Sequence, residues 1–253
     1  MKGAWIEDLT WPEVRDRLAA KRPVVVPVGA RSKEHGPHLP MKTDYLWARA
    51  FGDGIAGRLP VLVAPVVDFG YYPAFVNYAG SQHLRAETFI ALVEDILDGL
   101  LNHGAETLAI VNTGVSTEAP LQIAARNILV RRGARVAIAN IRDLGKGCDG
   151  LFQQKLGGHA DERETSAILA IEPASVRMDR ARPDYGHMLG SPPNVFRAPV
   201  AFHGDPAQGE NYSATGARGD PTLATPEKGR ALLAAMIDEL VAGLRLLRPD
   251  LTQ

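Results

Sequence analysis

One short polar stretch concentrates the side chains able to do chemistry. Glu34, His35, His38 and Asp44 fall within eleven residues of sequence. Neutral imidazole and carboxylate are the donors that divalent Zn, Mn and Fe prefer. By composition the stretch suits a metal site and equally a solvated polar loop. His83 and His103 read as surface or helix-end residues. His187 and His203 lie further on, and His203-Gly204-Asp205 could lend a replacement ligand. Ser116 sits in Thr113-Gly114-Val115-Ser116-Thr117, which lacks the G-x-S-x-G elbow of a serine hydrolase. At a strand-to-helix turn the same residues could instead bind an anion through backbone N–H groups. The single cysteine, Cys148, rules out an intramolecular disulfide and Cys-based zinc or iron–sulfur sites, and reads as a passive loop thiol.

These residues need elements to position them. Val24–Val28, Val61–Ala64, Leu108–Val111 and Val136–Ala139 are short, continuously apolar runs, read as buried strands. Between them lie helical segments. One is opened by Trp11-Pro12-Glu13, and others run over 45–59, 87–101, 120–130 and 164–171, with a terminal amphipathic helix over 227–247. Residues 178–225 are rich in Pro and Gly and read as irregular, with Asp205–Tyr212 as a flexible insertion. The alternation predicts an α/β fold, layered α/β/α around a mostly parallel central sheet, as one domain over 1–253. In such folds ligands bind beyond the carboxyl ends of the strands. The loops after Val28, Ala64 and Val111 are therefore the ones to watch. The second carries Tyr71, Tyr72, Asn77 and Tyr78, which could wall a pocket or simply pack as a surface loop.

Composition narrows the function. In 253 residues, 28 Lys+Arg face 29 Asp+Glu, so no global positive field exists to hold nucleic acid or an anionic membrane. No stretch reaches the roughly 18 apolar residues that span a bilayer. The first residues lack the apolar core of a signal peptide. A cytoplasmic protein is expected.

Three blocks, in order along the chain, resemble the creatininase (creatinine amidohydrolase) family. His35-Gly36-Pro37-His38-Leu39-Pro40, with Asp44 four residues later, is similar to that family's E-x-H-G-P-H-L-P-x-x-T-D. His159-Ala160-Asp161-Glu162-Arg163-Glu164-Thr165-Ser166 is similar to its H-A-G-E-x-E-T-S. The segment from Gly219 to Gly229 is similar to its G-D-P-x-x-A-x-x-E-K-G. The resemblance implies a layered α/β fold and metal-dependent hydrolysis of a C–N bond in a small cyclic or linear amide. It also implies a homo-oligomer, a hexamer by resemblance. Zn or Mn is the expected ion, with Fe as an option, at one or two per subunit.

Carried over residue by residue, Glu34, His35, Asp44 and Glu162 are expected to hold the metal. Glu162 and His159 are expected to carry protons. His38, Tyr72, Ser116 and Thr117 are expected to face the substrate. Glu162 and Glu164 are two apart and cannot share a helix face, so one should reach the cleft and the other cap neighbouring backbone. Two departures stand out. The family's Glu lies two before its His, a slot held here by Lys33; either a bulge aims Glu34 inward or Lys33 points into the site. Gly114 sits where the family carries a metal His, and Ser116 where creatinine hydrolases carry Glu. These changes argue against creatinine as substrate. The alternative reading is a non-catalytic small-molecule-binding protein on a decayed enzyme scaffold.

Overall fold

In the computed structural model, which describes residues 2–188, 200–207 and 211–252, the apolar runs line up as one sheet. Its strands are β1 (Ala4–Trp5), β2 (Val24–Val28), β3 (Leu62–Val63), β4 (Leu108–Asn112) and β5 (Val136–Asn140). Their order is β1-β3-β2-β4-β5, and every pairing is parallel. Val24 stands opposite both Leu62 and Leu108, which sets the register at the centre. The edge strand β1 is only two residues long, too short to show a pattern, and escapes sequence reading.

The strands are apolar throughout because alternate residues serve two cores. Val25, Val63, Ala109 and Val111 join the core under α2 (Thr43–Ala56), α5 (Glu162–Ile171) and α6 (Pro226–Leu247). Val24, Val26, Val28, Leu62 and Ile110 join the core under α1 (Trp11–Ala19), α3 (Ala86–Asn102) and α4 (Glu118–Arg132). The result is the layered α/β/α arrangement expected from the alternation. In α3, Phe89, Val93 and Leu97 repeat every four residues and are the buried positions of that helix.

The chain leaves β2 toward β3 through α2 and returns across the sheet to β4 through α3. The connections therefore diverge beyond the carboxyl ends of β2 and β4, which opens a crevice there. The irregular stretch contains 3-10 turns at Met178–Arg180 and Pro221–Leu223 and a two-stranded antiparallel ribbon, β6 (His187–Met188) with β7 (Asn211–Tyr212). Part of the expected flexible insertion, residues 208–210, lies outside the described residues. Among the described residues no helix is long and apolar enough to cross a membrane.

Candidate functional site

The loop leaving β2 is tied down on both sides. Gly29 N–H donates to the Val67 carbonyl, Arg31 N–H to Asp68, Lys33 N–H to Met41, and Tyr45 N–H to Ala30. A Cβ at Gly29 would lie 2.3 Å from the Asp44 carbonyl oxygen. Its absence lets the first turn of α2 abut the strand end and brings Asp44 into the crevice.

Lys33 and Glu34 both turn inward, at 7% and 6% exposure. The loop runs through the site, so successive side chains find partners on opposite sides of it. Lys33 Nζ donates to Asp44 Oδ2 at 2.7 Å. Glu34 Oε2 lies 2.9 Å from His159 Nε2, and its Oε1 accepts from Gly36 N–H. The loop can pass this way because Gly36 takes the left-handed conformation at φ +69°.

The two buried histidines are fixed by what they touch. His35 Nδ1 is 2.9 Å from the Lys33 carbonyl oxygen and its Nε2 is 2.9 Å from Asp44 Oδ1, so both ring nitrogens face acceptors. His159 Nε2 is 2.9 Å from both the carbonyl oxygen and Oε2 of Glu34, so it carries the proton there. Its Nδ1 faces Glu164 Oε2 at 3.9 Å. Each imidazole thus has one nitrogen facing a carboxylate, Asp44 for His35 and Glu164 for His159, a pairing that suits a cation between them. His35, His159 and Glu164 each offer a ligand atom, and these lie within 4.8 Å of one another. Two imidazole nitrogens and a carboxylate oxygen form a donor set suited to Zn, Mn or Fe.

Electrostatics hold the cluster together. Burial opposes ionisation of Asp44, but Lys33 and His35 beside it outweigh that and hold its carboxyl well below the usual range. Burial likewise opposes charge on Lys33, yet Asp44 and Glu164 keep its pKa raised. Burial acts against charge on Glu34 and His159 too; their mutual contact lowers Glu34 and raises His159. His38 is different: burial and the neighbouring His35 push it down to about 4.

The second block supplies a correction. Asp161 is the N-cap of α5, accepting from the N–H groups of Arg163 and Glu164 at 2.9 and 3.0 Å. Glu162 and Glu164 therefore leave the first turn on different sides. Glu162 is fully buried away from the histidines. Its Oε2 accepts from Gln153 and Gln154 N–H at 2.8 Å, and its Oε1 from Lys228 Nζ at 2.5 Å. Its oxygens are spent on the scaffold, and it is Glu164, not the expected Glu162, that lies beside the histidines. Asp161-x-x-Glu164 has capping-box spacing, a signal that could have marked Glu164 as facing back over the turn.

The third block turns out to brace the second. Besides the Lys228–Glu162 pair, Thr225 N–H donates to Ser166 Oγ at 3.2 Å. Gly229 lets α6 cross α5 so closely that a Cβ there would lie 1.9 Å from the Ser166 carbonyl oxygen.

The remaining expected residues divide. Glu34 and Asp44 sit in the site, but as partners of His159 and of His35 and Lys33 rather than within the three-residue group. His38 is buried behind the cluster, with Nε2 2.9 Å from Thr165 Oγ1 and Nδ1 without a partner. Tyr72 spends its hydroxyl on the carbonyls of Ser32 and Gln82, and Thr117 on Asn112 Oδ1 and the Gly114 carbonyl. Those hydroxyls are thus engaged within the fold, Tyr72 on backbone and Thr117 on backbone and on the Asn112 side chain. Tyr72, Ser116 and Thr117 line a void of about 10 Å³ shared with Lys33, Asp44 and Gly114. Asn77 and Tyr78 pack onto Phe202 and Ser213. His83 and His103 are exposed. His203 Nδ1 accepts from Asp205 N–H and joins no ligand group among the described residues; the His187 side chain lies outside the described residues. Sequence reasoning missed Phe75, whose ring lies 4.1 Å from that of His159 and 5.4 Å from Lys33 Nζ. Nothing in its local sequence marks it. A cleft of about 430 Å³ opens beside Glu164, bordered by Phe152, Gln154, Leu156 and Lys155.

Comparison with known proteins finds relatives over nearly the whole chain. The family model described as "Creatininase: Creatinine amidohydrolase" matches residues 7–244. The mycofactocin precursor peptide peptidase of Mycobacterium ulcerans is 31% identical over 92% of this chain and 84% of its own. The creatinine amidohydrolase of Pseudomonas putida is 27% identical over 96% of this chain and 97% of its own. A solved structure described as "Creatininase Mn" superposes with a TM-score of 0.82 at 26% identity, over 98% of this chain and all of the other.

Proposed function

The chain belongs to the creatininase family, and from that premise we propose that it is a metal-dependent amidohydrolase cleaving a C–N bond in a small cyclic or linear amide other than creatinine. One observation carries the reading: His35, His159 and Glu164 converge within 4.8 Å, each imidazole already oriented by a bond from its other nitrogen. These three residues would hold the ion, Zn or Mn by donor chemistry, and the relative described with Mn supports that choice. When bound, a divalent ion there supplies Lewis-acid polarisation of a carbonyl and a more acidic water.

The chain's own residues do the rest. Glu34 orients His159 through its Nε2, and the Lys33 carbonyl orients His35 through its Nδ1, leaving the Nε2 beside Asp44 to face the ion. Phe75 walls the imidazole from solvent. The 430 Å³ cleft beside Glu164 is of the size that takes a small molecule. Gly114 and Lys33, standing where the resemblance sets a metal His and a metal Glu, support a substrate other than creatinine. Cytoplasmic location and a homo-oligomeric assembly, a hexamer by resemblance, belong to the same proposal; light scattering tests the assembly.

The test is metal analysis of untagged, chelator-free protein alongside an amide and lactam panel, for wild type, His35→Ala and Glu164→Gln. Stoichiometric metal and turnover in wild type, both lost in the variants, are expected. Protein that binds no Zn, Mn or Fe after reconstitution and turns over no amide would move the weight to the ligand-binding alternative.

A further inference from the structure

We propose that the Lys33 ammonium is a built-in cation standing in for a second metal ion, so that the chain holds a single divalent ion at His35, His159 and Glu164. This rests on the metal-dependent reading above and adds the number of ions and the reason for it.

Position is the first argument. Lys33 Nζ lies 2.7 Å from Asp44 Oδ2, while His35 Nε2 lies 2.9 Å from the other carboxylate oxygen. Lys33 is 7% exposed and Asp44 2% exposed, so both charges are withdrawn from water. By the family resemblance Asp44 matches the carboxylate that bridges two metals; here one of its two oxygens is already committed to an ammonium.

Charge is the second. Glu34, Asp44 and Glu164 bring three negative charges to the cluster, and Lys33 returns one. With neutral imidazoles, one divalent ion closes the balance. A second would leave excess positive charge in a buried site, which is strongly unfavourable without paired counter-ions. The other nearby acids cannot supply them. Glu162 is paired to Lys228, and Asp161 is taken up by N–H groups of the α5 cap and by Gln154.

Donors and space are the third. Beyond Asp44 the end of β4 offers Gly114, which has no side chain, Thr117, whose hydroxyl is spent on Asn112 and Gly114, and Ser116, a neutral hydroxyl that is a poor ligand for Zn or Mn beside imidazole and carboxylate. The free volume between Lys33, Asp44, Gly114 and Ser116 is about 10 Å³, room for about one water. An ammonium offers positive charge with no exchangeable coordination position, so it stays when a chelator strips the metal.

The full-length protein is titrated with MnCl2 and, separately, ZnCl2, with stoichiometry read by calorimetry and by elemental analysis after desalting. Wild type is expected to bind one equivalent. Lys33→Glu combined with Gly114→His exchanges the cation for a carboxylate and adds the imidazole that the resemblance sets at that position, and is expected to bind two. Two equivalents in wild type, or one in the folded double variant, would overturn the inference. Should the double variant not fold, the electron paramagnetic resonance spectrum of the Mn(II)-loaded wild type decides. An uncoupled six-line signal is expected, and a spin-coupled pair at saturation refutes. A wild type that binds neither ion sinks the metal-dependent reading itself, an outcome distinct from binding two.

Discussion

Glu162 and Glu164 stand two apart at the start of α5, and replacing each by Gln should have opposite consequences. Glu162 is fully buried. Its Oε2 accepts two N–H groups at 2.8 Å, and its Oε1 meets the Lys228 ammonium at 2.5 Å. A carboxamide of the same shape can present its oxygen to only one of those sides; the other then meets an NH2 group, donor against donor. Removing one partner of a buried ion pair costs about 3–5 kcal/mol. For a chain of this size that lowers the melting temperature by roughly 10 °C. Metal stoichiometry should be unchanged. Glu164 has a side chain 23% exposed and, among the described residues, bonds the Ala160 N–H besides facing His159. Its replacement should cost about 1 kcal/mol. Metal affinity should fall by more than the ~10–100-fold that follows loss of a ligand's outlying partner. The assay is urea unfolding followed by circular dichroism in excess chelator, so that bound metal does not enter the stability, together with elemental analysis of the untreated proteins. A Glu162→Gln variant that unfolds at the wild-type midpoint but has lost its metal would falsify this division of labour.

Three further outcomes follow from the same geometry. His38 is held neutral in the fold at about 4, against about 6.5 unfolded. The unfolded chain therefore binds the extra proton, and stability rises with pH between those values by up to ~3 kcal/mol. Glu34, His35, His159 and Asp161 are the charged or titratable groups acting on that ring. His38→Asn in chelator should flatten the pH dependence of the urea midpoint over this window, and an unchanged slope would remove His38 as its cause. Gly229→Ala places a methyl against the Ser166 carbonyl oxygen at 1.9 Å. It should cost about 3 kcal/mol by forcing α6 off α5, read as a lower melting temperature; a shift under 2 °C would mean the helices part easily. Chelation of metal-saturated wild type should lower stability by about 2.7 kcal/mol relative to free ion at a hundred times Kd, with no shift in His35→Ala. Equal shifts in the two proteins would place the ion elsewhere.

The layers were legible in the sequence for a definite reason. Strands buried on both faces must be apolar at every position, and helices covering them must be apolar every third or fourth, so Val24–Val28 and Phe89-Val93-Leu97 announce themselves locally. The exceptions are equally physical. β1 is two residues long and paired on one side, with too little pattern to see. Helix ends moved by a few residues where a cap settled them, as Asp161 did for α5.

The site divides along the same line. The types and chain order of His35, Asp44, His159 and the two glutamates near residue 163 are properties of the sequence, enough to identify the chemistry and the family resemblance. Which glutamate faces the histidines was decided by Lys228 and the Gln153–Gln154 backbone, more than sixty and about eight residues away from Glu162 respectively. The choice between Lys33 and Glu34 proved false, since Asp44 on one side and His159 on the other claim one each. A sequence states which groups exist and their local conformational preferences. Their partners, and hence their charge states and roles, depend on contacts between distant segments in a water-poor interior, and only the tertiary structure creates those.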